Sequence, residues 1–266
     1  MSKHKTARNL AADAFDWYRC RYPFNSYAGI LSLQGFSRLA DITGEAALIE
    51  RARGELLPFV RGERRLRSNL FMNYRCGGNG AAYMLWRGDL PEARKAVGFY
   101  ADELMSEAPR SAEGIFCLRE GGQRGAVWID VAFAVTPFLL YAGLAHDRAE
   151  WIDEGCAQVS KMTELFRDPE EGLLHQSRGF AGAERFSEDH WSRGNGWALL
   201  ALAELVQNLP AGHRRRSAIE AVFIGLLEAC LRVQGDEGLW RQEMTMPESY
   251  IETSGSGLIL YALGVA

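Results

Sequence analysis

Long apolar runs are missing: no window approaches the ~20 apolar residues that a membrane-spanning helix needs. The opening Met1-Ser2-Lys3-His4-Lys5 leads into a stretch that mixes Arg8, Asp13 and Asp16 with its apolar residues, so a secretory leader is not expected. Cysteine is sparse. Cys20, Cys76, Cys117, Cys156 and Cys230 are odd in number and far apart, with no CxxC or Cys/His spacing. That argues against a disulfide framework and a structural zinc site, and reduced thiols fit a cytoplasmic protein. An excess of positive charge is missing too: 30 Lys and Arg stand against 34 Asp and Glu, a net charge of -4. A nucleic-acid partner is therefore not expected, and the arginine clusters at 61–67 and 214–216 read as solvated helix ends. The five histidines (4, 146, 175, 190, 213) form no HExxH or comparable spacing. The glycines around Cys76-Gly77-Gly78-Asn79-Gly80 lack the lysine and preceding strand of a phosphate loop. No metal and no cofactor are expected.

What is present is ordinary globular composition, 47% hydrophobic and 24% charged over 266 residues, read as a single domain spanning 1–266. Helical periodicity dominates. It predicts helices over 6–19, 26–41, 45–60, 77–86, 91–105, 130–144, 149–166, 194–207, 214–233 and 254–263, with Gly, Pro and Asp in the connections, Pro91 at a helix start. Three copies of an acid–glycine–aliphatic turn recur: Glu113-Gly114-Ile115, Glu171-Gly172-Leu173 and Glu237-Gly238-Leu239. Each is followed by an aromatic residue and a helix rich in small residues.

The helices fall into two classes. Those around 27–39, 77–85, 131–144, 197–205 and 258–263 are apolar nearly all round, and the others are amphipathic and charged. A helix apolar on every side is buried on every side. Alternation of the two classes describes an inner ring of helices wrapped by an outer ring, an all-α toroid. Inner helices that run the same way bring their N-terminal ends to one mouth, and that is where polar and aromatic residues concentrate.

Asp130, entering the apolar helix after Trp128, reads either as an N-cap or as an acid whose pKa is raised by partial desolvation, suited to proton donation. Arg193 and Trp197, four apart, share a helix face. A guanidinium beside an indole suits a ligand with a carboxylate and a ring, or is a packing pair. Trp191 and Asn195 lie in the same stretch, where Gly194 and Gly196 would let a ligand approach the backbone. His175 follows the Gly172 turn and reads equally well as structural. Glu252 and Thr253 open the last inner helix as a capping pair or as sugar-hydroxyl ligands.

On Trp128-Ile129-Asp130, the 172–175 turn, Trp191-Ser192-Arg193-Gly194-Asn195-Gly196-Trp197 and Glu252-Thr253-Ser254-Gly255-Ser256, the sequence resembles glycoside hydrolase family 105, the unsaturated rhamnogalacturonyl hydrolases, and the related family 88 unsaturated glucuronyl hydrolases. The resemblance runs over most of the chain from Tyr27. It implies an (α/α)6 barrel acting on oligosaccharides that end in a 4,5-unsaturated uronic acid. Such enzymes hydrate the vinyl-ether double bond, and the hemiketal formed rearranges and expels the neighbouring sugar. Carried over, Asp130 is the general acid and base and Trp128 a pocket wall. Arg193 and Trp197 hold the uronate, with Trp191, Asn195, His175, Glu252 and Thr253 as further substrate contacts, and no metal or organic cofactor is implied.

Two departures stand out. The second aspartate of the family is absent, because no acid lies between Glu63 and Asp89, and Arg75 stands there instead as a candidate substrate contact. A cation near Asp130 would lower its pKa. Ten helices are also two short of six hairpins, so the ring is expected to be incomplete towards its C-terminus, its flanks covered by an oligomer partner or closing imperfectly. Two alternatives follow: a catalytically silent relative that binds acidic oligosaccharides, or another α/α-barrel sugar enzyme such as an epimerase, which would rely on paired histidines.

Overall fold

The computed structural model describes residues 5–64, 66, 71–117 and 125–266. Met1 to His4 of the opening segment, and Arg65 and Arg67 of the first arginine cluster, lie outside the described residues. The α-helices are α1 (Ala7–Arg19), α2 (Tyr27–Thr43), α3 (Ala46–Val60), α4 (Gly78–Arg87), α5 (Arg94–Glu107), α6 (Val131–His146), α7 (Ala149–Phe166), α8 (Ser192–Asn208), α9 (Arg216–Arg232) and α10 (Thr253–Leu263). Each answers to a helix expected from periodicity, with boundaries shifted by at most three residues and unshifted for α7. The fifth begins as a 3-10 turn over Pro91–Ala93 before α5 takes over at Arg94. Pro91 supplies the helical φ but no N–H, so the first turn tightens without a donor there.

Contacts group the chain into two compact units. One comprises Met1–Glu107 with Tyr141–Ile152, the other Ala108–Leu140 with Asp153–Ala266. In the first, α2 packs on both α3 and α4. In the second, α8 packs on both α9 and α10. Each unit thus sets an apolar helix against an amphipathic one and against a second apolar one. The amphipathic helices bury single stripes, such as Val97, Ala101 and Leu104 of α5, at the i, i+4, i+7 spacing of one helix face.

The expectation that every apolar helix is buried on all sides needs correction. α4 and α8 are buried nearly all round, and so is α6 from Val131 to Ala142. α2 and α10 bury one face each: Tyr27 is 45% exposed and Leu260 48% exposed. Small residues made these two helices look uniformly apolar, yet apolar composition does not itself supply a neighbour for each face.

The acid–glycine–aliphatic repeat is a real structural unit. Gly114, Gly172 and Gly238 all have positive φ (80°, 72° and 76°), a conformation that glycine adopts without steric cost. The loop closes in the same way each time: Ser111 N–H to Ile115 O at 2.8 Å, Asp168 N–H to Leu173 O at 2.8 Å, Gly235 N–H to Leu239 O at 2.9 Å. The backbone N–H that follows then donates to a helix side chain. Phe116 donates to Gln158 (2.8 Å), Leu174 to Asn195 (2.8 Å) and Trp240 to Ser256 (2.9 Å). Asn195 and Ser256 are each the fourth residue of their helix, so copies two and three dock their turns on equivalent positions.

Candidate active site

In the second unit the leading ends of α6, α8 and α10 meet. Short antiparallel strands β1 (Val127–Trp128) and β2 (Ser177–Arg178) lead the chain to them, with Val127 opposite Arg178. Ile129 N–H also donates to Gln176 O at 3.0 Å. Asp130 thereby enters α6 beside the loop that carries His175. Its carbonyl accepts from Ala134 N–H at 3.0 Å, which is the backbone role of an N-cap, and its Oδ2 is buried without a hydrogen-bond partner among the described residues. Burial pushes the carboxyl up to about 6, against the opposing pull of its own backbone N–H, Arg193 and the Trp197 side chain. Burial outweighs the lowering by Arg193, so the carboxyl ends above its ordinary value.

Arg193 does not stand free at this junction. Its Nη1 is paired with Glu252 and donates to Ser254 Oγ at 2.8 Å. Ser192 Oγ donates to the other oxygen of Glu252 at 2.7 Å. These bonds tie the start of α8 to the start of α10, and Glu252 is buried whereas Thr253 is exposed. Arg193 also lies over the Trp191 ring at 4.1 Å, and its Nε is buried without a hydrogen-bond partner among the described residues. Trp197, one turn on, is only 1% exposed and packs on Phe133 at 4.6 Å between ring centroids. Trp128 is half-buried against Phe180, at 4.5 Å.

The glycines of this stretch serve helix packing instead of ligand approach. A Cβ on Gly194 would lie 3.0 Å from Ile129 Cγ2, and one on Gly196 would lie 2.7 Å from Leu258 Cβ. Space at these positions is occupied by neighbouring side chains. Asn195 is likewise committed inside the protein. Its Oδ1 accepts from Leu174 N–H, and its Nδ2 donates to Leu174 O and Trp191 O, both at 3.1 Å. It fixes the turn on which His175 sits.

His175 stacks on His190 with ring centroids 4.9 Å apart, and both face one carboxylate. Asp168 Oδ2 is 3.8 Å from His175 Nε2 and 3.6 Å from His190 Nε2. Burial first, and the neighbouring His190 second, lower the pKa of His175, while Asp168 opposes them. Asp168 itself is held low chiefly by backbone N–H bonds from Glu171 and Glu170. Sequence reasoning did not connect these three residues. The one available signal was Asp168 at the head of the same turn that carries His175; His190 arrives from a separate loop.

Arg75 belongs to the other unit, exposed, where it hydrogen-bonds the Tyr100 side chain. That unit also holds an open apolar cleft of about 330 Å³ between α1 and α2, lined by Phe15, Trp17, Tyr18, Phe36 and Leu39 among others. Its lining includes no carboxylate or imidazole and offers no acid–base chemistry.

Comparison with known proteins places this geometry in context. Residues 4–266 match the family described as Glycosyl Hydrolase Family 88. The unsaturated rhamnogalacturonyl hydrolase YesR of Bacillus subtilis (strain 168) is 27% identical over 167 residues, 61% of this chain and 48% of that protein. An unsaturated 3S-rhamnoglycuronyl hydrolase of Formosa agariphila is 31% identical over 146 residues, covering 51% of this chain and 39% of its own length. The matched part thus spans about half or less of these relatives. Among solved structures, a family 105 glycoside hydrolase of C. acetobutylicum ATCC 824 superimposes with a TM-score of 0.81 at 20% identity, over 98% of this chain and 78% of that one. The unsaturated glucuronyl hydrolase of Bacillus sp. GL1 gives 0.74 at 16% identity, over 97% and 75%. These likenesses show the fold, all-α and of α/α-barrel type.

Proposed function

Because the chain belongs to Glycosyl Hydrolase Family 88, we propose that it is a glycoside hydrolase that removes a 4,5-unsaturated uronic acid from the end of lyase-generated oligosaccharides. The observation that carries this reading is a buried carboxyl, Asp130, with Oδ2 unpartnered and its pKa near 6, between a guanidinium and an indole. A carboxyl poised in that range holds its proton for part of the population near neutrality and can both give and take one. Asp130 protonates one carbon of the double bond and then, as carboxylate, receives a proton from the water that adds to the other carbon. The hemiketal rearranges and the neighbouring sugar leaves. Arg193, whose side chain stays 28% exposed beside its bonds to Glu252 and Ser254, attracts the uronate carboxylate, with Trp128 as a wall of the pocket and His175 beside it. No cofactor enters this scheme.

The test is loss of the unsaturated uronyl absorbance when purified protein is incubated with rhamnogalacturonan-, chondroitin- and ulvan-derived disaccharides. Bleaching of at least one substrate is expected, and intact absorbance with all three would count against the reading. A second reading, binding of acidic oligosaccharides without turnover, draws on the commitment of Arg193 to Glu252 and Ser254. It would show as saturable binding with no bleaching, and as an affinity that Asp130→Asn leaves unchanged.

A further inference from the structure

We infer that Asp168, His175 and His190 form a binding site for one divalent cation of the zinc class. The ligating atoms of the three side chains lie within 4.8 Å of one another. Donors held at zinc–nitrogen and zinc–oxygen distances in a tetrahedral shell lie about 3.4 Å apart. The two edges from Asp168 Oδ2, at 3.6 and 3.8 Å, are already close to that, and the remaining edge closes by rotation of the imidazoles. Two imidazoles and a carboxylate leave a fourth position for water, and the partial exposure of Asp168 and His175 opens the site to solvent.

The three residues are held as ligands are held. Asp168 Oδ1 accepts from Glu170 N–H (2.8 Å) and Glu171 N–H (2.9 Å), which leaves Oδ2 turned to the histidines. His190 is 7% exposed and its Nε2 is buried with no hydrogen-bond partner among the described residues. The other ring nitrogen, Nδ1, lies 3.9 Å from Glu243 Oε1, while Glu243 Oε2 accepts the backbone N–H of His190 at 2.6 Å. Through that backbone bond Glu243 anchors the loop that carries His190, while its Oε1 accepts from Thr245 Oγ1 at 2.9 Å.

The repeat supplies an internal control, since the fold does not require this cluster. By the turn glycines, His175 of the second copy corresponds to Cys117 in the first and Arg241 in the third. By the helix starts, His190 corresponds to Ile129 before α6 and Ile251 before α10. Aliphatic residues therefore fill that place in the sister copies, and only the second copy carries a buried imidazole there. A buried polar side chain with an unpartnered ring nitrogen destabilises the fold unless something binds it.

The inference shares His175 with the hydrolase reading but rests on neither its substrate nor its turnover, and is tested with metal alone. The full chain, stripped with chelator and dialysed, is titrated with Co²⁺ while the visible ligand-field bands are followed, and Zn²⁺ is then added in competition. One equivalent of Co²⁺ should give the bands of a four-coordinate nitrogen–oxygen site without thiolate charge transfer, and Zn²⁺ should abolish them. His190→Ile, which installs the residue of the sister copies, should stay folded by circular dichroism and lose at least tenfold in affinity. Glu243→Gln should lose affinity severalfold through the weakened backbone anchor of His190. Absence of the bands in the folded wild-type chain, or their full retention in His190→Ile, overturns the inference.

Discussion

At the residue scale the decisive quantity is the proton on Asp130. A carboxyl moved from 3.8 to about 6 by burial binds its proton more tightly in the native chain than in the unfolded one. Stability therefore falls as pH rises through that window and is lowest above it. Asp130→Asn removes the buried charge. We expect its melting temperature at pH 7.5 to exceed that of the parent, by the equivalent of up to about 3 kcal/mol, while turnover of unsaturated disaccharides drops at least a hundredfold. On the proposed hydrolase reading, the rate of the unsubstituted protein should fall as pH rises above about 6, where the acid form is lost. A variant that is both inactive and less stable would instead assign Asp130 a structural role.

Asp130 and Arg193 stand out in the sequence because a polar residue at the start of an apolar helix is conspicuous. The sequence did not reveal that Arg193 is paired with Glu252, since that bond depends on two helix starts distant along the chain. The grouping of Asp168, His175 and His190 was hidden for the same reason: each comes from a different part of a turn or loop, at a spacing that matches no local motif.

At the element scale the contact between α8 and α10 decides how the site is built. A Cβ on Gly255 would lie 2.7 Å from Ser192 Cβ and 2.8 Å from Arg193 N, and neither the backbone nor Ser192, held by Glu252, can yield cheaply. Gly255→Ala should cost about 1–3 kcal/mol in urea unfolding and displace Ser192 and Arg193 from Glu252. A loss of turnover larger than the loss of folded protein would follow. Gly257→Ala, on the same helix with open space at its Cβ, is the matched control and should raise stability by up to about 1 kcal/mol while leaving turnover unchanged. Helix periodicity announced both elements, but only packing shows that the glycines of the 192–197 stretch admit neighbouring side chains where sequence had suggested a ligand.

On the scale of the whole molecule, acid stability rests on bonds that tie turns to strands. Arg178 grips Glu113 with two bonds, 2.7 and 2.8 Å, and Ser111 adds a third at 2.7 Å. Together, Arg178 first, they pull Glu113 down from 4.5 to about 2. A depressed carboxyl contributes stability that is fully present above its unfolded value and is lost as pH falls through its folded one. Thermal melts should therefore show a drop between pH 4.5 and 2 that Glu113→Gln flattens, with a lower melting temperature for that variant at pH 7. An unchanged acid limb would mean that the pair contributes nothing to folding.

Sequence by itself determined which segments are helical, where the three glycine turns fall and which residues head the apolar helices. Each of these follows from local rules: a 3.6-residue period, a positive φ that glycine tolerates, an orphaned amide at a helix start. Tertiary structure alone decided the rest. It left one face of α2 and of α10 exposed, committed Arg193 to Glu252, and brought two imidazoles to one carboxylate. Such outcomes depend on distances between groups far apart along the chain, and no local rule encodes them.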